Sequence, residues 1–251
     1  MTGGRIVAGT RAVAEALRSQ SSQVDLILIE RDAGRGAQAL VEEARKRRVP
    51  VQERDRRSLD RFAEGLRHQG IVAVAGPYPY VDLEALLASA ADPPLLVALD
   101  QVTDPHNFGA IVRTAVALGV DGLITLKDRA APVTAAVVRA SAGSTEHARI
   151  ARVTNLARTL ATLRDRGLSV VGLAADGPVG VASLPSASEG RVLVVGSEGR
   201  GLRRLVREGC DVVARIDLPG PIASLNASVA AAIALYEAAR LRREADPSGR
   251  G

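Results

Sequence analysis

Cysteine is nearly missing from this 251-residue sequence. Cys210 stands alone, so no internal disulfide can form, and a lone thiol suits a reducing, cytoplasmic setting. It reads as a small residue at a helix end. His68, His106 and His147 share no ligand spacing with it or with one another, so no metal site is expected. Long apolar runs are missing as well. No stretch reaches eighteen residues, and the opening MTGGRIVAGTRAVAEALRS has an arginine every few residues with no apolar core before a cleavage site. Neither a membrane span nor a signal peptide is expected. GSEGRG at Gly196–Gly201 is not GxGxxG and comes late in the chain, which argues against a nicotinamide enzyme. His106 has no nucleophilic Ser or Cys pattern beside it, as an ordinary hydrolase would need.

What is present is apolar residues and arginine. At 47% apolar content the chain is globular, with length for one large or two small domains. Thirty-three basic against 28 acidic residues give a net charge of +5, which favours a polyanionic partner. Lys46 and Lys127 are the only lysines. Arginine suits bidentate contacts to phosphate, but a GC-rich genome produces the same bias, so composition alone leaves the partner open.

Residues 5–76 read as a compact α/β module. Helices are predicted at Thr10–Ser19, Ala37–Arg47 and Ser58–Leu66, and strands at Val24–Glu30, Val49–Gln52 and Ile71–Ala75. Eight bases face three acids over Arg45–Arg61, as either a solvated face or a phosphate-contacting surface. Prolines in Gly76–Tyr80 and Asp92–Pro94 bracket a linker over 77–93, where Tyr78 and Tyr80 either stack on a base or pack onto a domain. From residue 94 to 245 strands alternate with helices. Strands are expected at Leu95–Leu99, Leu123–Leu126, Ser169–Leu173, Val192–Gly196 and Val212–Ile216, implying a parallel sheet covered on both faces. A disordered tail is expected over 246–251. The last helix, from Ser224, is apolar nearly all round and must be buried on more than one side.

Three stretches carry the chemistry. Asp100–Thr114 (DQVTDPHNFGAIVRT) joins a strand end, a polar turn and a helix opening, with Asn107 at the expected N-cap and Arg113 six residues on, within NxGxxxR. Val194–Gly201 runs from a strand into a glycine turn bearing Glu198. Ile216–Val229 passes through a Pro/Gly turn to Ser224-Leu-Asn-Ala-Ser228 and a long helix. In this order and at these separations they resemble the motifs of the SpoU/TrmH branch of the SPOUT methyltransferases. VTDPHN, KDR at Lys127–Arg129, RVTNLART at Arg152–Thr159 and SLNAS are similar to the bacterial 23S rRNA guanosine 2'-O-methyltransferases. Phe108, where Leu or Ile is common, and Ala227, where Val is common, are mild departures.

The resemblance implies methyl transfer from S-adenosyl-L-methionine to a ribose 2'-OH of 23S ribosomal RNA. It also implies a homodimer, no metal, a deep C-terminal trefoil knot, and an N-terminal domain like the RNA-gripping ribosomal proteins, closed by HQGI at His68–Ile71. Arg113, Asn107, Glu198, Ser224 and Asn226 match the family's catalytic positions. Gly196, Ile216, Leu218 and Leu225 match its cofactor contacts. Arg45, Lys46, Arg47, Arg48, Arg54 and Arg57 become an RNA-binding surface. A carboxylate in an apolar glycine turn needs a partner, and Arg113 or a second subunit is expected to pair with Glu198. A related enzyme acting on tRNA or on another 23S nucleotide, as in antibiotic resistance, remains the alternative. From another class, a non-catalytic RNA-binding or ribosome-assembly factor has no use for the whole catalytic set.

Overall fold

The computed structural model describes residues 5–19, 23–63, 65–185, 188–222 and 224–245; the tail expected at 246–251 lies outside them. In chain order the elements are β1 (Arg5–Ala8), α1 (Thr10–Arg18), β2 (Val24–Glu30), α2 (Arg35–Lys46), β3 (Val51–Arg54), α3 (Arg56–Phe62), β4 (Ile71–Ala75), α4 (Leu83–Ala88), β5 (Leu95–Asp100) and α5 (Pro105–Ala117). They continue with β6 (Gly122–Leu126), α6 (Ala135–Ala140), β7 (Ile150–Val153), α7 (Leu156–Asp165), β8 (Ser169–Leu173), β9 (Val179–Gly180), β10 (Arg191–Gly196), α8 (Arg204–Glu208), β11 (Val212–Arg215) and α9 (Ala227–Ala245). They form two compact units: Met1–Pro79 with Pro132–His147, and Tyr80–Ala131 with Ala148–Gly251.

The first unit is a four-stranded sheet in the order β1-β4-β2-β3. β4 runs antiparallel to both β1 and β2, and β3 runs parallel to β2. Leu28, Leu59, Val72, Ala8 and Ala63 form one of its apolar clusters. The segment 132–147 belongs here, although it follows β6 in sequence. Gly143 lets it come close: at φ +86°, its missing Cβ would stand 2.9 Å from the Ala12 Cα. The buried Glu146 carboxylate accepts hydrogen bonds from both terminal nitrogens of the Arg5 guanidinium, which also lies over the Tyr78 ring at 5.5 Å. A buried charge is tolerable only when paired in this way.

The second unit is a seven-stranded, wholly parallel sheet in the order β7-β6-β5-β10-β8-β11-β9. β5, β6 and β10 are buried along their whole length, as near-continuous apolar runs demand. α9 packs on α5 and across β10, β5 and β8. The chain steps outward from β5 through β6 to β7, then crosses to β8, so the sheet changes direction beside β10. That is where open parallel sheets bind ligands, outside the carboxyl ends of their strands. The stretch expected as linker holds α4, whose Leu86 fills the space left by the absent side chain of Gly122. Val81 bridges to Ala151, and the Arg152 guanidinium covers the Tyr80 ring at 4.9 Å. Both tyrosines of the stretch are thus packed under arginines.

Candidate active site

Asp104, not Asn107, caps α5. Its carboxylate accepts from the amides of His106 and Asn107 at 3.3 and 3.0 Å, and Pro105 takes the first helical position, where its missing N–H costs nothing. Asn107 is therefore inside the first turn, buried, with its side chain free for other work. Its amide donates to Glu198 at 2.9 Å, and its oxygen accepts from the Asn226 amide at 2.9 Å. Asn226 in turn accepts at its own oxygen from the backbone and hydroxyl of Ser228, at 2.9 and 2.6 Å. One side chain thus caps α9 and reaches Asn107. The line Glu198–Asn107–Asn226–Ser228 brings together all three stretches marked in the sequence.

Glu198 rides on a hairpin closed by Ser197 and Gly201, whose backbones exchange hydrogen bonds at 3.2 and 2.9 Å. Gly199 and Gly201 are left-handed, at φ +77° and +65°, and a Cβ at either would point into open space. Gly196 has no such room, since a Cβ there would stand 2.3 Å from Gly201. Below the hairpin, the fully buried Asp100 accepts from the Arg203 backbone N–H at 2.8 Å and its Nε at 2.7 Å. This anchor escaped the sequence reading. The signal was an acid ending an otherwise apolar strand, where burial obliges a partner.

The hairpin roofs a cavity of about 570 Å³ at the carboxyl ends of β8, β10 and β11. It is lined by Gly196, Ile216, Leu218 and Leu225, the four residues expected to hold the donor, and by Glu198, Ser224 and Asn226. Leu173, Val195 and Ala214 add apolar wall. The size suits a small amphipathic cofactor, and the open glycines leave space against the backbone.

Arg113 is exposed, with no hydrogen-bond or ion-pair partner among the described residues. The expected Arg113–Glu198 pair is not formed; the Asn107 amide takes that place. Six residues of helix turn Arg113 about 120° away from Asn107, onto the exposed stripe begun by His106. In the first unit, Arg45 and Arg47 are tied to Glu42 and Glu43 at 2.9 and 2.7 Å, and Arg54 to Gln52 at 2.5 Å. Lys46, Arg48 and Arg57 are exposed.

A parallel sheet, a late glycine hairpin and the helix α9 meet over one cavity, the arrangement that the resemblance to the SPOUT methyltransferases leads us to expect. The chain belongs to the SpoU rRNA methylase family: residues 94–236 match that family's model, and residues 6–81 match the model described as RNA 2'-O ribose methyltransferase substrate binding. It is 45% identical over 240 residues to the 23S rRNA (guanosine-2'-O-)-methyltransferase RlmB of Pseudomonas aeruginosa, covering 94% of this chain and 96% of that one. The SpoU methyltransferase AviRb of Streptomyces viridochromogenes, solved with AdoMet, superposes with a TM-score of 0.81 at 28% identity, over 96% of this chain and 92% of that one. An AdoMet-bound rRNA methyltransferase from Sinorhizobium meliloti gives 0.80 at 27% identity, over 95% and 88%.

Proposed function

We propose that the protein moves a methyl group from S-adenosyl-L-methionine to the ribose 2'-hydroxyl of a guanosine in 23S ribosomal RNA, acting as a cytoplasmic homodimer. The observation that carries this reading is the line Glu198–Asn107–Asn226 beside a cavity that takes in Gly196, Ile216, Leu218 and Leu225. The likeness to RlmB supports the choice of RNA and nucleoside, and the two AdoMet-bound structures support the donor. When bound, the donor supplies a methyl group on a positively charged sulfur. The chain's task is then to hold the sugar oxygen in line with that methyl group and to stabilise the negative charge that develops on the oxygen as its proton passes to solvent water. Ile216, Leu218 and Leu225 exclude water around the donor, while Glu198, Asn107, Ser224 and Asn226 set the polar wall facing the sugar. Arg113 meets the substrate phosphate and the 2'-oxygen; a guanidinium keeps its proton, so its contribution is electrostatic. The exposed arginines of the first unit contact RNA phosphates.

The exposed Ile222, Leu225, Val229, Ile233 and Tyr236 support a second copy packed on α9. A deep trefoil path is supported by the strand order, which inserts β10 and β11 among earlier strands. The test is incubation with labelled S-adenosylmethionine and unmodified 23S rRNA or total tRNA, followed by mass mapping. The expected product is a 2'-O-methylguanosine in 23S rRNA. Transfer confined to tRNA, or to no RNA, overturns the reading.

A further inference from the structure

The small sheet has a direction. β1, β2 and β3 run the same way and β4 runs against them, so the ends of the first three and the start of the fourth share one edge. Gly9–Thr10, Arg54–Arg57 and Arg67–Gly70 lie along that edge. α2 returns to the start of β3, which leaves Arg45–Arg48 at the opposite edge. The basic surface expected from sequence is thus two separate surfaces.

At the first edge a cavity of about 330 Å³ is lined by Arg11, Arg67 and Arg139 with Thr10 and Gln69, and by no acidic side chain among the described residues. None of the three guanidinium groups has a hydrogen-bond or ion-pair partner among the described residues, whereas Arg45 and Arg47 at the other edge are held by glutamates of their own helix. A second cavity of about 530 Å³ shares Arg67, Gln69 and Arg139. Of the three carboxylates among its described residues, Glu30 faces Arg56 at 3.9 Å and Asp60 bonds the buried His68 at 3.0 Å, leaving Asp32. The wall is braced. Gln69, held at φ +52°, accepts from the Thr10 hydroxyl at 2.9 Å, so its amide N–H groups remain to donate, and His68 Nδ1 accepts from the Gly70 amide at 3.0 Å.

We propose that this cleft grips the phosphodiester backbone of the RNA substrate through Arg11, Arg67 and Arg139, with Gln69 donating beside them. The inference rests on the RNA methyltransferase reading above. Three guanidinium groups lining one cavity, with no carboxylate among its described residues, repel one another, and phosphate oxygens accept their paired N–H donors in fixed geometry. Arg139 comes from α6, inside the stretch matched by the methylase family model, yet it folds with the first unit. Both family segments therefore build one RNA site, and a truncation at residue 81 would lack a third of its charge.

The test uses the full chain and unmodified 23S rRNA transcripts, with affinity measured across a potassium chloride series. Each lost phosphate contact lowers the slope of log K against log salt by about 0.7 to 0.9. The combined Arg11→Ala, Arg67→Ala, Arg139→Ala variant should therefore lose about 2 from the slope and at least about tenfold in affinity at moderate salt. Donor binding and the unfolding midpoint should stay at wild-type values. The corresponding triple lysine variant should recover the slope, which separates charge from folding. A wild-type slope in the alanine variant overturns the cleft, and so does a slope lost only with Arg45→Ala and Arg47→Ala. Failure of the unaltered protein to bind or methylate RNA at all overturns the functional reading with it; methylation by wild type alongside an unchanged alanine variant overturns the cleft alone.

Discussion

Asn107 shows how much one amide settles. It donates to Glu198 and accepts from Asn226, so its orientation is fixed from both sides and three distant stretches are fixed with it. Its place beyond the cap was legible in the sequence, because Asp-Pro ahead of an apolar helix marks a cap followed by the first helical residue, but the motif drew attention to the asparagine. Its partners were not legible: 91 and 119 residues separate it from Glu198 and Asn226. Arg113 stands apart from this line and does not line the cavity. Arg113→Ala should therefore abolish methyl transfer to 23S rRNA, by a factor of about 10² or more, while calorimetric titration with S-adenosylmethionine gives wild-type affinity. Loss of donor affinity would show that Arg113 serves the cavity and not the acceptor.

Among the elements, the hairpin after β10 does most to shape the site, and it is held from beneath. β5 and β10 pair in register up to Asp100 and Gly196, so the carboxylate of one strand sits where the other turns into glycines. Asp100 then takes the Arg203 backbone and guanidinium together and closes the loop that presents Glu198. Asp100→Ala removes both acceptors and leaves Arg203 half exposed. Stability should fall by about 2 kcal/mol, and donor affinity should fall with it, whereas Asp100→Asn, which keeps one acceptor, should lose less of each. Donor affinity unchanged in the alanine variant would show that the hairpin holds its own shape. The strands of this sheet were readable because burial on both faces writes them as unbroken Leu and Val runs. β7 and β9 escaped because four and two residues are too few to show a period. α4 escaped because prolines on both sides looked like the marks of a linker, while the reason for its seat, the bare Gly122, lies more than thirty residues away.

For the whole molecule, α9 raises the question of what covers it. Ala231, Ala234, Leu235, Ala238 and Ala239 are buried against the sheet and α5, as an all-round apolar helix requires on one side. The other side leaves Val229, Ile233 and Tyr236 exposed at successive turns, Tyr236 at 53%, while Leu225, also exposed, lines the cavity just before the helix. Isolated apolar side chains on a surface need no explanation, but a contiguous row beside a ligand site does. The homodimer proposed above would cover the row on both copies at once by two-fold symmetry. Sedimentation at micromolar concentration should accordingly give twice the mass of one chain. Ile233→Glu combined with Tyr236→Glu should give a folded monomer, by circular dichroism, with transfer to 23S rRNA lost. A wild-type protein that sediments as a single chain and still methylates RNA would mean that each copy completes its own site and that the apolar row serves another purpose.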